Sequence, residues 1–217
     1  MPFVMKNLES AQDYSENYQS AFNSCLQKSV VTENNGEEVS VGEGLSRLCE
    51  LSSELQGRQG RKFIVGNGAS AAFADHMALD WTKNGKIAAR SFGDSAWLTA
   101  AANDLGVDQI FSAGIELHGR SSDLLVAISS SGRSPNIIRA IEKAREMRML
   151  VVTFTGLAET NPARSLGDLN IYVPAQTYGM VEVAHQYWLH LWLDRYMGVL
   201  EWGRSEPQDM RVESFKA

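Results

Sequence analysis

From Lys62 onward, short apolar runs alternate with amphipathic stretches, and this pattern constrains the fold more than any other feature of the chain. KFIV is followed by ASAAFADHMALDW, DLLVAI by SPNIIRAIEKAREM, and MLVVTF by a broken short helix. LNIYV is then followed by a long helix expected from about Gly179 to Trp202. A weaker strand, KIAARSF, lies between the first of these helices and Ser95. Strands alternating with helices predict a mostly parallel sheet with helices on both faces. Strands that are apolar almost throughout fit burial on both sides. The expected fold class is therefore α/β, a doubly wound, mostly parallel five-stranded sheet.

Before Lys62 the pattern is helical. Residues 8–30 place apolar side chains at Tyr14, Tyr18, Phe22, Cys25 and Leu26. A polar turn at Glu33-Asn34-Asn35-Gly36 leads to a second helix over about 41–56. These two helices read as a packing hairpin of the kind that builds oligomers. The last residues, 203–217, are polar.

Composition narrows the partners. The chain has 217 residues, 44% of them hydrophobic and 21% charged, enough apolar material for a sizeable core. Its net charge is −6, and its 20 Lys and Arg residues are scattered, which argues against nucleic acid. A small phosphate needs no global positive field, because backbone N–H groups can bind it locally. The two cysteines, Cys25 and Cys49, form no CxxC pair, so a reduced, cytoplasmic setting is expected. No apolar run approaches the ~18 residues of a membrane span.

Two strand-to-helix turns carry the chemistry. Gly66-Asn67-Gly68-Ala69-Ser70 follows KFIV and opens a helix. Small residues there let a ligand approach the backbone, and the helix N-terminus offers N–H groups to an anion. Ser129-Ser130-Ser131-Gly132-Arg133-Ser134 follows DLLVAI and precedes Pro135, a residue suited to a first helical turn. Hydroxyls and amides gathered at a strand's carboxyl end make a phosphate cradle. Helix capping by Ser134 alone would explain one serine, not four.

These motifs resemble the sugar isomerase (SIS) domain. GNGAS, DHMALDWT, LTAAANDLGVDQIF, DLLVAISSSGRSPNIIRAI and VEVAHQYWLH together resemble its phosphoheptose isomerase branch, in register from about residue 40 to 202. The resemblance implies three segments: N-terminal helices over 1–58, a sugar-phosphate-binding domain over 59–202 and the tail over 203–217. It implies interconversion of sedoheptulose 7-phosphate and a heptose 7-phosphate for lipopolysaccharide and related glycans. It also implies a homotetramer with sites between subunits.

The same resemblance assigns roles to residues. Asn67, Gly68, Ser70, Ser129, Ser130, Ser131 and Ser134 would contact the phosphate or the sugar, and Asp104 would lie in the site. His76, Asp80, Glu182 and His190 map onto the family's metal-binding positions, with zinc the implied ion. Asp80 as base and His190 as acid would be the catalytic pair. His76 and Asp80, four apart, share a helix face and read on their own as a surface pair. His185, among Tyr187, Trp188 and Trp192, reads equally well as a core residue.

The chain departs from the family pattern at several points. Asp80 stands where the family has Glu, Glu182 where it has Gln, and Asn84 where it has Arg. Ala69 replaces a Gly, and Arg133 an Asn. Two rival readings follow from the resemblance: a regulatory SIS protein that associates with a replication initiator, and an isomerase of another sugar phosphate.

Overall fold

Neighbouring parallel strands need crossover connections, and this chain supplies them as helices. The structure, a computed structural model, describes residues 10–203. The helices are α1 (Ala11–Gln27), α2 (Val41–Gly57), α3 (Ala69–Lys83), α4 (Ser95–Leu105), α5 (Ile110–His118), α6 (Pro135–Glu146) and α7 (Tyr178–Met197). The strands are β1 (Val30–Glu33), β2 (Glu38–Val39), β3 (Lys62–Gly66), β4 (Ala89–Arg90), β5 (Leu124–Ser129), β6 (Leu150–Gly156) and β7 (Leu169–Val173).

The sheet has seven strands in the order β2-β1-β7-β6-β5-β3-β4. The five expected parallel strands are present, from β7 across to β4. The two extra strands flank the expected turn at Glu33–Gly36: the first helix, expected to run to residue 30, ends at Gln27, and the chain is already extended from Val30. Val30–Glu33 pairs antiparallel with β7, and Glu38–Val39 pairs back onto it. The turn between them passes through Gly36 at φ +82°, a left-handed conformation that favours glycine. The N-terminal segment is thus a helix, a β-hairpin and a second helix, and it extends the sheet.

Local signals set the helix ends. Ser40 and Glu43 form a reciprocal capping box at the start of α2. Pro135 stands at the first position of α6. Gly198, at φ +73°, ends α7 before Trp202, where the pattern had carried the helix. The tail expected over 203–217 lies, from residue 204 on, outside the described residues.

Alternate residues of the strands feed two cores. Ile64, Val126, Ile128 and Phe154 pack against α3, α7 and the N-terminal helices. Phe63, Val65, Leu125 and Val151 pack against α4, α5 and α6. Between β3 and β5 the chain leaves for β4 on one side and returns on the other, so these adjacent strands flank a topological switch point. Ligands of open α/β sheets bind at the carboxyl ends there.

Candidate active site

Both Gly- and Ser-rich turns open at that switch point. β3 ends at Gly66, where an added Cβ would come within 2.6 Å of Ser70. Gly68 adopts φ +57° as the residue before α3, and Ser70 is buried in the first turn. β5 ends at Ser129, whose Oγ accepts from the Gly132 N–H at 3.2 Å. Ser131 Oγ accepts from the Arg133 N–H at 3.3 Å. Gly132 sits at φ +61° against the Asn161 side chain, where any Cβ would collide.

Ser134 occupies the cap position of α6 but makes no side-chain cap hydrogen bond. Capping therefore does not explain its hydroxyl, which instead lines a small cavity of about 110 Å³. The other walls are Asn67, Ser70, Ile128, Ser129, Ser130, Ser131, Tyr178 and Glu182. Gly68 faces a neighbouring cavity of about 220 Å³ together with Asp75 and Phe92.

The two turns are tied together. Asn67 Nδ2 donates to Asn136 Oδ1 at 2.9 Å, and Asn136 Nδ2 returns a bond to Asn67 Oδ1 at 2.8 Å. Asn67, expected to face the ligand, thus also clamps one loop to the other. Asn136 was not among the expected site residues, although SPN placed it next to the serine loop.

A second constellation forms where α3 meets α7. His76 Nε2 lies 3.2 Å from Asp80 Oδ2, and Asp80 Oδ1 accepts from Asn84 Nδ2 at 3.2 Å. The His190 ring lies 5.2 Å from that of His76, centroid to centroid. One ligand atom from each of His76, Asp80 and His190 falls within 4.8 Å of the others. On the same two helices Trp81 and Trp192 pack edge-on, their ring centroids 5.1 Å apart.

Two expected residues lie elsewhere. Glu182 is not part of this cluster: it lines the serine cavity, because eight residues of α7 separate it from His190 by about 12 Å. Asp104 is exposed near the end of α4, where its carboxylate accepts from Asn103 at 2.8 Å. It lines none of the cavities just described. His185 is a core residue: fully buried, its Nε2 is 3.1 Å from the Thr155 carbonyl oxygen. Burial lowers its pKa to about 4, so the ring is neutral.

A hydroxyl-lined cavity at the strand ends and a His/Asp/His seam where α3 meets α7 give this doubly wound domain groups suited to holding an anion and to acid–base or metal chemistry. Residues 42–156 match the SIS domain family model. The phosphoheptose isomerase of Helicobacter pylori is 31% identical over 161 residues, 71% of this chain and 83% of that protein. That of a Bradyrhizobium strain is 39% identical over 135 residues, 59% of this chain and 68% of the relative. The solved phosphoheptose isomerase of Neisseria gonorrhoeae superposes with a TM-score of 0.74 at 29% identity, covering 86% of this chain and 99% of that one.

The chain belongs to the SIS domain family and, within it, to the phosphoheptose isomerases. It is an enzyme of the aldose–ketose isomerase type.

Proposed function

We propose that the chain interconverts sedoheptulose 7-phosphate and D-glycero-D-manno-heptose 7-phosphate. The observation that carries this reading is the placement of two stations along α7. The serine cavity lies at its first turns and His190 about 12 Å further on. A spacing of this order suits a long sugar chain anchored by its phosphate at the first station, with its carbonyl end towards the second, better than a three-carbon one. Binding energy from the remote phosphate serves to orient the reacting carbons.

Isomerisation moves a proton between adjacent carbons through an enediol. In this reading Asp80 and His190 form the acid–base pair, Asp80 taking the proton from carbon and His190 exchanging protons with the oxygens. His76 holds Asp80 in place, as does Asn84. Two imidazoles and a carboxylate with donor atoms this close also suit zinc, which accepts such N and O ligands. His76, Asp80 and His190 would hold the ion, which when bound would polarise a substrate oxygen. The proposed setting is the cytoplasm. Two unpaired cysteines support it, and no helix among the described residues is long and apolar enough to cross a membrane.

Incubating the full chain with sedoheptulose 7-phosphate and following the sugar by NMR tests the reading. Signals of the aldose heptose 7-phosphate should grow to an equilibrium ratio. Their absence, with the phosphate still bound, would favour the regulatory type of SIS protein.

A further inference from the structure

One wall of the serine cavity runs against the chemistry of the rest. Five serines and Asn67 offer groups that can donate hydrogen bonds, while Glu182 enters from α7 with a carboxylate. Among the described residues, no Lys, Arg or His lines the cavity. Among the described residues, none is paired with the Glu182 carboxylate. An ionised carboxylate only accepts hydrogen bonds, and so do the oxygens of a fully deprotonated phosphate or of a sulfate. Two acceptors in contact need a hydrogen between them, and an unpaired buried acceptor weakens binding.

Among the described residues, no cationic side chain at the cavity relieves this. The β3–α3 turn contributes Asn67 and Ser70, and the β5–α6 turn contributes only serines and Ile128. Arg133 on that second turn is exposed and outside the lining. Tyr178 shares the helix with Glu182. His185, one turn further on, is neutral and held on the Thr155 carbonyl. Cys25 and Lys28 of the α1 segment line a different cavity, with Met180.

We infer that Glu182 is a specificity residue that admits tetrahedral anions carrying a proton: a P–OH of the substrate's phosphate donates to Glu182 while the serine hydroxyls and loop amides bond the remaining oxygens. A phosphate ester has a second pKa near ~6, so the proton-bearing form is available around neutral pH. A sulfate carries no such proton there and is rejected. This inference rests on the reading of the serine cavity as the phosphate seat.

The test is calorimetric titration of the full chain with inorganic phosphate and, separately, with sulfate. The natural protein should bind phosphate at least ~10-fold more tightly than sulfate. In Glu182→Gln the amide can donate, so sulfate binding should rise and the preference should shrink to about 3-fold or less. Equal binding of the two anions by the natural protein overturns the inference, and that measurement depends on no variant. An unchanged preference in Glu182→Gln overturns it as well. If Ser129→Ala with Ser131→Ala leaves sugar-phosphate binding unchanged, the phosphate seat itself is misplaced and both readings fall. If that double variant weakens binding while the anions remain undiscriminated, only the role of Glu182 falls.

Discussion

The Asp80 carboxylate is gripped from both sides, by His76 on one oxygen and Asn84 on the other. That grip determines what substitutions there should do. Asp80→Asn keeps the shape and removes the charge, so turnover should fall by about 100 to 10,000-fold while the phosphate still binds. His190→Gln should behave in the same way. Asp80→Glu is the sharper variant. Both oxygens already meet partners at 3.2 Å, so one more methylene displaces them, and a misplacement of ~1 Å can cost ~100-fold. Steady-state kinetics alongside calorimetric binding checks all three. Turnover of Asp80→Asn at the natural rate would remove Asp80 from the chemistry, and a gain in Asp80→Glu would show that the natural Asp is an impaired base.

Elements decide which of these residues could be read from the chain alone. His76 and Asp80 sit four apart on one helix, so their pairing was legible, as were the Gly- and Ser-rich turns, each directly after an apolar strand. The third member, His190, depends on the crossing of α3 and α7, which no local spacing encodes. The Asn67–Asn136 clamp joins residues 69 apart, and β1 finds its partner β7 across more than 130 residues. Position 182 was grouped with His190 only by the family resemblance, and eight residues of α7 carry it to the serine cavity instead.

The opposite end of β3 holds another feature of this kind. Lys62 is fully buried, with its Nζ donating to Ser52 Oγ at 2.8 Å and lying against the faces of Trp81 and Trp192. Burial drives its amine well below the usual lysine range, a push that negative charge on the Cys49 sulfur would partly oppose. Between that lowered value and the ~10.4 of an unfolded chain, the unfolded state binds the extra proton. Native stability therefore rises with pH across this window, by up to ~1.4 kcal/mol per pH unit for one proton. Lys62→Met should be more stable than the natural chain at pH 7 and should lack this contribution to the slope. Denaturant titrations at pH 7 and 9 measure both. A less stable variant with an unchanged slope would mean that the amine is not held neutral.

At the scale of the whole molecule, two observations point beyond one subunit. Tyr14 and Tyr18 on α1 and Val183 and Tyr187 on α7 are exposed apolar side chains on helices that pack together, with Phe22 edge-on to Tyr187. Such surface is a candidate for burial against another copy. Asp104, by contrast, is exposed and outside the serine cavity of its own chain. The homotetramer that the family resemblance implies would account for both, burying the α1/α7 strip and bringing Asp104 to a neighbour's site. Light scattering should then give about four times the 23.9 kDa of the chain. The sharper experiment mixes two inactive variants, Asp80→Asn and Asp104→Asn, and lets their subunits exchange. If each site takes Asp80 from one chain and Asp104 from the next, some mixed sites hold both natural residues, and the mixture should regain isomerase activity that neither parent has. A mixture that stays inactive although light scattering and labelled subunits show exchange would place Asp104 in the same chain's site or outside the reaction. A monomer at micromolar concentration would remove the shared site altogether.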